Sequence, residues 1–253
     1  MELIKPIVKV GNSAGVILPR EWLNGKAKVE LIEKPINIKK DVLEILGDYL
    51  DEVIGIYLVG SYARGEEDEN SDVDVIAVTS NINKMLKHGK YDIMIISKEK
   101  LDETLKENAV PLLPMLKEAD SIINEGLLDN YKGTSVTEKN LRYHLETTKS
   151  ALNIIKEDIK ASKELKQNVS DASAYSLILR LRTFYIIDCI KENKLWKKQE
   201  FLGLVKRISG SLKAYERYIS VKNDNKLDYK LPVAEAEKLV EDLTRRLHEL
   251  ENV

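Results

Sequence analysis

The chain has 253 residues, of which 43% are hydrophobic and 32% charged, with a formal net charge of −2. So near-neutral a balance excludes a general nucleic-acid coat, though not a local basic patch. The single cysteine, Cys189, excludes an intrachain disulfide and suits a reducing, cytoplasmic setting.

The N-terminal stretch MELIKPIVKV lacks the long apolar core of a secretory signal, and no apolar run is long enough to span a bilayer. No membrane partner is therefore expected. The length suits two domains or one large one.

Residues 3–33 read as a small β unit. Ile7, Val8 and Val10 lead into a turn-forming cluster, Gly11 to Gly15, and Val16-Ile17-Leu18 follow as a second strand. Pro19 ends that strand, Arg20 to Leu23 form a helical turn, and Asn24-Gly25 is a strong turn dipeptide. The alternation over Lys28–Ile32 predicts a third strand. Pro35 marks a boundary, and apolar residues at helical spacing predict an amphipathic helix over 38–51.

The informative stretch is 53–96. An apolar run, Ile54 to Val59, ends in Gly60-Ser61, and an acidic loop opens with Arg64-Gly65. Asp72-Val73-Asp74 starts a second apolar run to Val78, and Asp92 leads into a third, Ile93 to Ile96. Short apolar runs bounded by turn residues predict buried strands. In a strand, residues two apart face the same way, so Asp72 and Asp74 project together with Val73 turned inward. Asp92, at the head of a neighbouring strand, is expected at the same point.

Three carboxylates beside a Gly-Ser turn suit divalent metal ions held against a nucleoside triphosphate. Phosphoryl and nucleotidyl transfer need charge neutralisation and alignment more than covalent help. Mg²⁺ takes oxygen ligands and completes its shell with water and phosphate. Gly60 permits close approach of the backbone to phosphate. Arg64 is expected to fork onto phosphate oxygens, its alternative being an ion pair with Glu66, Glu67 or Asp68. Asp92 has the alternative of a strand-edge carboxylate, and Ser71 that of a turn residue shaping the acidic loop. Residues 81–90, with His88 and Lys90, read as a solvated connection.

Ser97 is predicted to cap a helix through about Glu107, Leu112–Leu116 to form a short helix, and Ser121–Asn124 a fourth strand. Gly126 and Asn130 to Gly133 read as a linker. From Thr134 the pattern is helical. Ser135-x-x-Glu138 has the capping-box pattern and opens a long helix to about Leu165. Residues 171–193 are apolar nearly all round, which places that helix at the centre of a bundle. Two more helices, 199–219 and 233–250, complete a predicted four-helix bundle.

The segment Gly60-Ser-Tyr-Ala-Arg-Gly65, then Ser71-Asp-Val-Asp74, then a strand-borne Asp92 resembles the polymerase β-like nucleotidyltransferase superfamily, in particular its minimal and kanamycin nucleotidyltransferase types. The resemblance implies that Asp72 and Asp74 bind two Mg²⁺ ions. It implies that Asp92 completes the catalytic metal site and helps deprotonate the acceptor hydroxyl, while Gly60 and Ser61, with Arg64 and Ser71 beside them, hold the nucleotide. VKVGNSAGVILPREWL is similar to the swapped-hairpin β domain of AbrB-like and MazE-like regulators. That resemblance implies a homodimer and DNA phosphate contacts through Lys5, Lys9 and Arg20, the alternative being a β appendage that packs on the next domain or only forms a dimer.

The helical half resembles the HEPN class or the acceptor-binding domain of the superfamily. Nuclease-type HEPN members carry an Arg followed four to six residues later by His. His144 after Arg142, and His248 after Arg245 and Arg246, lack that spacing, so RNase activity is not expected. Tyr175, Arg180, Arg182, Tyr185 and Glu146 either line the cleft or pack the bundle, and Trp196 with Lys197 and Lys198 reads as a surface anchor.

The predicted fold class is α+β. A small β segment (1–35) precedes a nucleotidyltransferase domain with a mixed sheet (36–130), and an all-α bundle (134–253) follows. The expected activity moves a nucleoside monophosphate, AMP from ATP, to a hydroxyl on a small molecule, protein or RNA and releases pyrophosphate. The rival reading is a dimeric DNA-binding or antitoxin-like regulator that senses nucleotide through the same fold.

Overall fold

The computed structural model describes residues 3–32, 36–69 and 71–251. Contacts divide the chain into two units, Met1–Asn37 and Ile38–Val253. In the first, β1 (Ile7–Val10) and β2 (Ser13–Val16) form an antiparallel hairpin with Val10 opposite Ser13. The turn is only Gly11-Asn12, with Gly11 at φ +57°, so the second strand starts at Ser13 and not at Val16. Pro19 precedes a short 3₁₀ turn, Arg20–Trp22.

The expected strand over Lys28–Ile32 does not form. Its Val29 and Ile32 are 67% and 73% exposed. A strand needs an edge to pair with and a face to bury, and a four-residue hairpin supplies little of either. The boundary expected at Pro35 lies outside the described residues.

The second unit opens with α1 (Ile38–Ile45). The helix expected to run to residue 51 stops there, and Gly47–Glu52 continues as a 3₁₀ turn, since Gly weakens a helix interior. Next come β3 (Val53–Val59), the one-turn helix α2 (Gly60–Arg64), β4 (Val73–Thr79), β5 (Lys84–His88) and β6 (Tyr91–Ser97). After these lie α3 (Lys98–Asn108), α4 (Leu113–Glu118), β7 (Asp120–Ile123) and α5 (Glu125–Lys132).

The sheet order is β5-β6-β4-β3-β7, with β4 and β6 parallel and the other pairs antiparallel. The sheet is mixed, as predicted. Its faces alternate with period two. Tyr57, Val59, Ile76 and Val78 pack with Leu101, Leu105, Leu113 and Leu116 of the helices on one side. Ile56, Val73, Val75 and Ala77 pack with Val42 and Leu46 of the α1 segment on the other. A strand buried on both faces reads as a continuous apolar run, which is why β4 is conspicuous in the sequence.

Two more elements of this part differ from expectation. β5, KMLKH, was expected to be a connection; it is an edge strand whose lysines guard an open sheet edge. α5 replaces the expected linker. Asn124, at φ 65°, caps it by accepting from Leu127 N–H, and Leu128 and Tyr131 are buried beneath it.

The helical part consists of α6 (Glu138–Glu164), α7 (Asp171–Lys191), α8 (Lys198–Ser209), α9 (Lys213–Lys222) and α10 (Val233–Glu251). The helix expected over 199–219 is two, broken at Gly210 with φ +95°, a conformation that favours glycine. The capping box lies two residues later than expected, at Thr137 and Asn140. As predicted, α7 is central, with Leu177, Ile178, Leu181 and Ile187 fully buried. Its far end carries Ile186 and Ile190 into the core beside the sheet. Asn140 donates to Lys106 C=O, and His144 bonds Asn108 at 2.7 Å, so the helical part is seated on α3 and its end. Among the described residues, no helix is long and apolar enough to cross a membrane.

Ser97 holds the end of β6 to the start of α3, as its hydroxyl accepts from Lys100 N–H and from Asn83 Nδ2. Ser97→Ala is expected to lower the unfolding free energy by about 1–2 kcal/mol, measured by urea denaturation at unchanged m-value, and Ser97→Thr to retain most of it.

Candidate active site

The strand register assembles the site. Asp74 is opposite Val59, the last residue of β3, and in register with Asp92 on parallel β6. Val73 and Tyr91, one residue earlier on each strand, are buried, so Asp74 and Asp92 turn outward together on the other face. Asp72, just ahead of β4, shares that face and is exposed.

Gly60 lies against the same point. Its φ is +75°, and a Cβ there would lie 2.4 Å from Asp74 Oδ2. Only glycine lets the chain leave β3 and enter α2 at this distance from a carboxylate. Ser61 and Tyr62 follow in the single turn, which Gly65 ends at φ 63°.

Asp74 lies in the field of the other two acids. The Asp74 pKa is raised first by burial and then by the charges of Asp92 and Asp72; Arg64 and Lys222 oppose the shift. Lys222, at the end of α9, brings a charge from the helical part into this balance. Lys87 of β5 reaches both oxygens of Asp92, at 3.2 and 3.3 Å. Neither lysine was expected here. Lys87 was hidden by reading β5 as a connection, and nothing local marks Lys222.

An all-carboxylate donor set has the chemistry of a Mg²⁺ site, and a divalent cation would relieve the repulsion felt by Asp74. The side chains are not drawn into a closed set: among the described residues, no group of three or more His, Cys, Asp or Glu stands in ligating array. The donors therefore fit the ions in kind and in shared field.

Arg64 is placed differently from the phosphate fork expected of it. Its Nε donates to Glu66 Oε2 at 2.8 Å and its Nη1 to Glu118 Oε1 at 2.7 Å. The Glu66 pair is the alternative the sequence left open. Glu118, from the end of α4, carries no sequence signal. The same Glu118 oxygen also accepts the Gly60 N–H, at 3.0 Å. Burial raises the Glu118 pKa, and Arg64 and the Gly60 N–H partly offset that rise.

Ser71 is committed to the acidic loop, where its hydroxyl accepts from Asp68 N–H and donates to Asp68 Oδ1. Trp196 is not the surface anchor expected. Its ring lies 4.9 Å from the Arg64 guanidinium and 5.3 Å from that of Arg182. Of the other helical residues, Tyr175 stacks on Tyr218, Tyr185 donates to Glu200, and Arg180 donates to Thr147. These three pack the bundle.

Two outcomes test this geometry. A carboxylate whose pKa is raised on folding stabilises the fold below the usual carboxylate range and loses that contribution as pH rises through the raised value. At neutral pH the Asp74 charge is therefore a net cost. Asp74→Asn is expected to raise the melting temperature at pH 7 without divalent ions, measured by thermal melts. Gly60→Ala is expected to displace Asp74, lowering stability by about 1–2 kcal/mol through backbone strain alone, measured by thermal melts.

Residues 37–208 match the family model of the nucleotidyltransferase domain. A protein of Methanocaldococcus jannaschii, provisionally named a protein adenylyltransferase, is 44% identical over 78 residues, 26% of this chain and 76% of the relative. Among solved structures, a spectinomycin adenyltransferase of Enterococcus faecialis with ATP and spectinomycin aligns over 83% of this chain and 97% of its own, at 16% identity and a TM-score of 0.41. A nucleotidyltransferase-like protein of Exiguobacterium sibiricum covers 84% of this chain and 75% of its own, at 13% identity and a TM-score of 0.40. The family model spans more than half of the sequence and takes in the sheet, Gly60, Asp74 and Asp92 together: the chain belongs to the nucleotidyltransferase domain family, and it is an enzyme that transfers nucleotides.

Proposed function

We propose that the enzyme transfers AMP from ATP to an acceptor hydroxyl. The acceptor oxygen bonds to the α-phosphorus, the bond from that phosphorus to the bridging oxygen breaks, and pyrophosphate leaves. The observation that carries this reading is the register of Asp74 with Asp92 beside a glycine that has no room for a Cβ.

Asp72, Asp74 and Asp92 would hold two Mg²⁺ ions, whose chemistry when bound is to neutralise the phosphates and align the reacting oxygens. The chain's own groups do the rest. Ser61, opening the turn, receives the triphosphate. Asp92 takes the proton of the acceptor hydroxyl. Lys222, whose charge acts on Asp74, would supply positive charge to the bound phosphates. The acceptor class to test first is a protein tyrosine or serine, because the archaeal relative's provisional name is that of a protein adenylyltransferase. Small molecules and RNA ends are the other classes.

A second role concerns the first unit. Ile4, Ile7, Val10, Ile17, Leu23 and Ile32 are exposed on or beside its hairpin. So much apolar surface on so small a unit favours a second copy of the chain as its cover. Lys5, Lys9 and Arg20 would then be DNA phosphate contacts of the dimer.

With α-labelled ATP, Mg²⁺ and cell extract, the wild type is expected to label an acceptor and release pyrophosphate. Asp72→Ala and Asp74→Ala should lose both, and Asp92→Asn should slow transfer roughly 10²- to 10⁴-fold, the scale of a lost general base. Pyrophosphate release that survives Asp74→Ala would defeat the assignment. Sedimentation should find a dimer that dissociates in Ile7→Lys. DNA binding, if present, should weaken with salt and be indifferent to Asp74→Ala.

A further inference from the structure

One cluster at the edge of the site ties together segments far apart in sequence. Glu118 Oε1 takes both the Gly60 N–H and Arg64 Nη1. Arg64 Nε is bound to Glu66, and the Trp196 ring is within cation–π range of the guanidinium groups of both Arg64 and Arg182. Lys117, the neighbour of Glu118, reaches Asn193 Oδ1 at 3.4 Å and Lys132 C=O at 2.9 Å. The turn after β3, the end of α4 and the loop 192–197 therefore meet at the Arg64 guanidinium, and α7 joins them through Arg182 at the Trp196 ring.

Two roles are open to Glu118. It is either an anion lodged where a phosphate oxygen would bind, or a fixed brace. Burial decides between them. The Glu118 side chain is 5% exposed, and it ends a helix whose Leu113 and Leu116 are fully buried. A phosphate would have to displace that carboxylate and enter beside Glu66, which already balances Arg64. The brace is the lower-energy arrangement, because a buried guanidinium stripped of its carboxylate is costly.

We propose that Glu118, Arg64 and Trp196 are positioning residues for nucleotidyl transfer. Glu118 fixes the Gly60 N–H and, through Arg64, the far end of the turn. Trp196 couples this brace to the helical part, so the seating of loop 192–197 sets how well the turn receives the triphosphate. The Gly60 N–H is then committed to Glu118, and the triphosphate is gripped from Ser61 onward. The inference rests on the reading of Gly60–Ser61 as the triphosphate turn.

The test is ATP affinity by calorimetry on the full chain with Mg²⁺, alongside the melting temperature of each variant. Glu118→Gln keeps an oxygen for the Gly60 N–H and removes the negative charge that faces Arg64. It is expected to weaken ATP binding about tenfold, the scale of one hydrogen bond to a charged group, without loss of fold. Trp196→Ala should weaken binding similarly, and Trp196→Phe, which keeps a ring face for Arg64, should restore most of it. Rescue by the second ring is what a merely space-filling tryptophan on the bundle surface would not require. If Asp74→Ala alters ATP binding while Glu118→Gln and Trp196→Ala leave it at the wild-type value, the brace is overturned and the site reading stands. If wild type fails to bind ATP, or binds it indifferently to Asp74→Ala, the site reading falls and the brace falls with it.

Discussion

Asp74 carries its charge in a half-buried position with two more carboxylates in its field, and the strand register allows it no other place. Its neighbour Val73 is fully buried between β4 and the α1 segment. Turning Asp74 inward would turn Val73 outward, and a strand cannot slip by one residue without inverting every side chain on it. The apolar faces of the sheet thus hold a cluster of like charges that would separate if free. That is the relation expected of a site whose stability is subordinate to its chemistry.

The same logic extends to the turn. Gly60 closes the approach to Asp74 from β3, and its N–H is accepted by a carboxylate that arrives from α4. Arg64 is surrounded by two carboxylates and an indole ring, partners that come from three separate segments. A guanidinium held by so many partners is fixed in place.

The helical part is more than an appended bundle. The end of α7 enters the core beside the sheet, α6 bonds to the end of α3, and α9 brings Lys222 into the field of Asp74. The hairpin unit is of another kind. It exposes apolar side chains that the interior of a single small unit has no volume to bury.

How much of this was legible beforehand follows from how local each signal is. β3, β4 and β6 announce themselves because strands covered on both faces are apolar without interruption, and Gly60-Ser61, Asp72-Val73-Asp74 and Asp92 stand at their ends. The capping serine of α3 and the all-round apolarity of α7 are equally local. What escaped were features that another part of the chain decides. β5 is a strand because β6 offers it an edge, and α5 is a helix because Leu128 and Tyr131 find a core to enter. Residues 28–32 are not a strand because no edge is offered. Lys87, Glu118, Trp196 and Lys222 belong to the site only through partners 5, 54, 132 and 148 positions away in sequence. By itself the sequence determined the acids, the glycine and the strand pattern that aims them, because each depends on neighbours within a few residues. Which groups neutralise and brace them was decided by tertiary structure, since electrostatic pairing acts through space and leaves no periodicity along the chain.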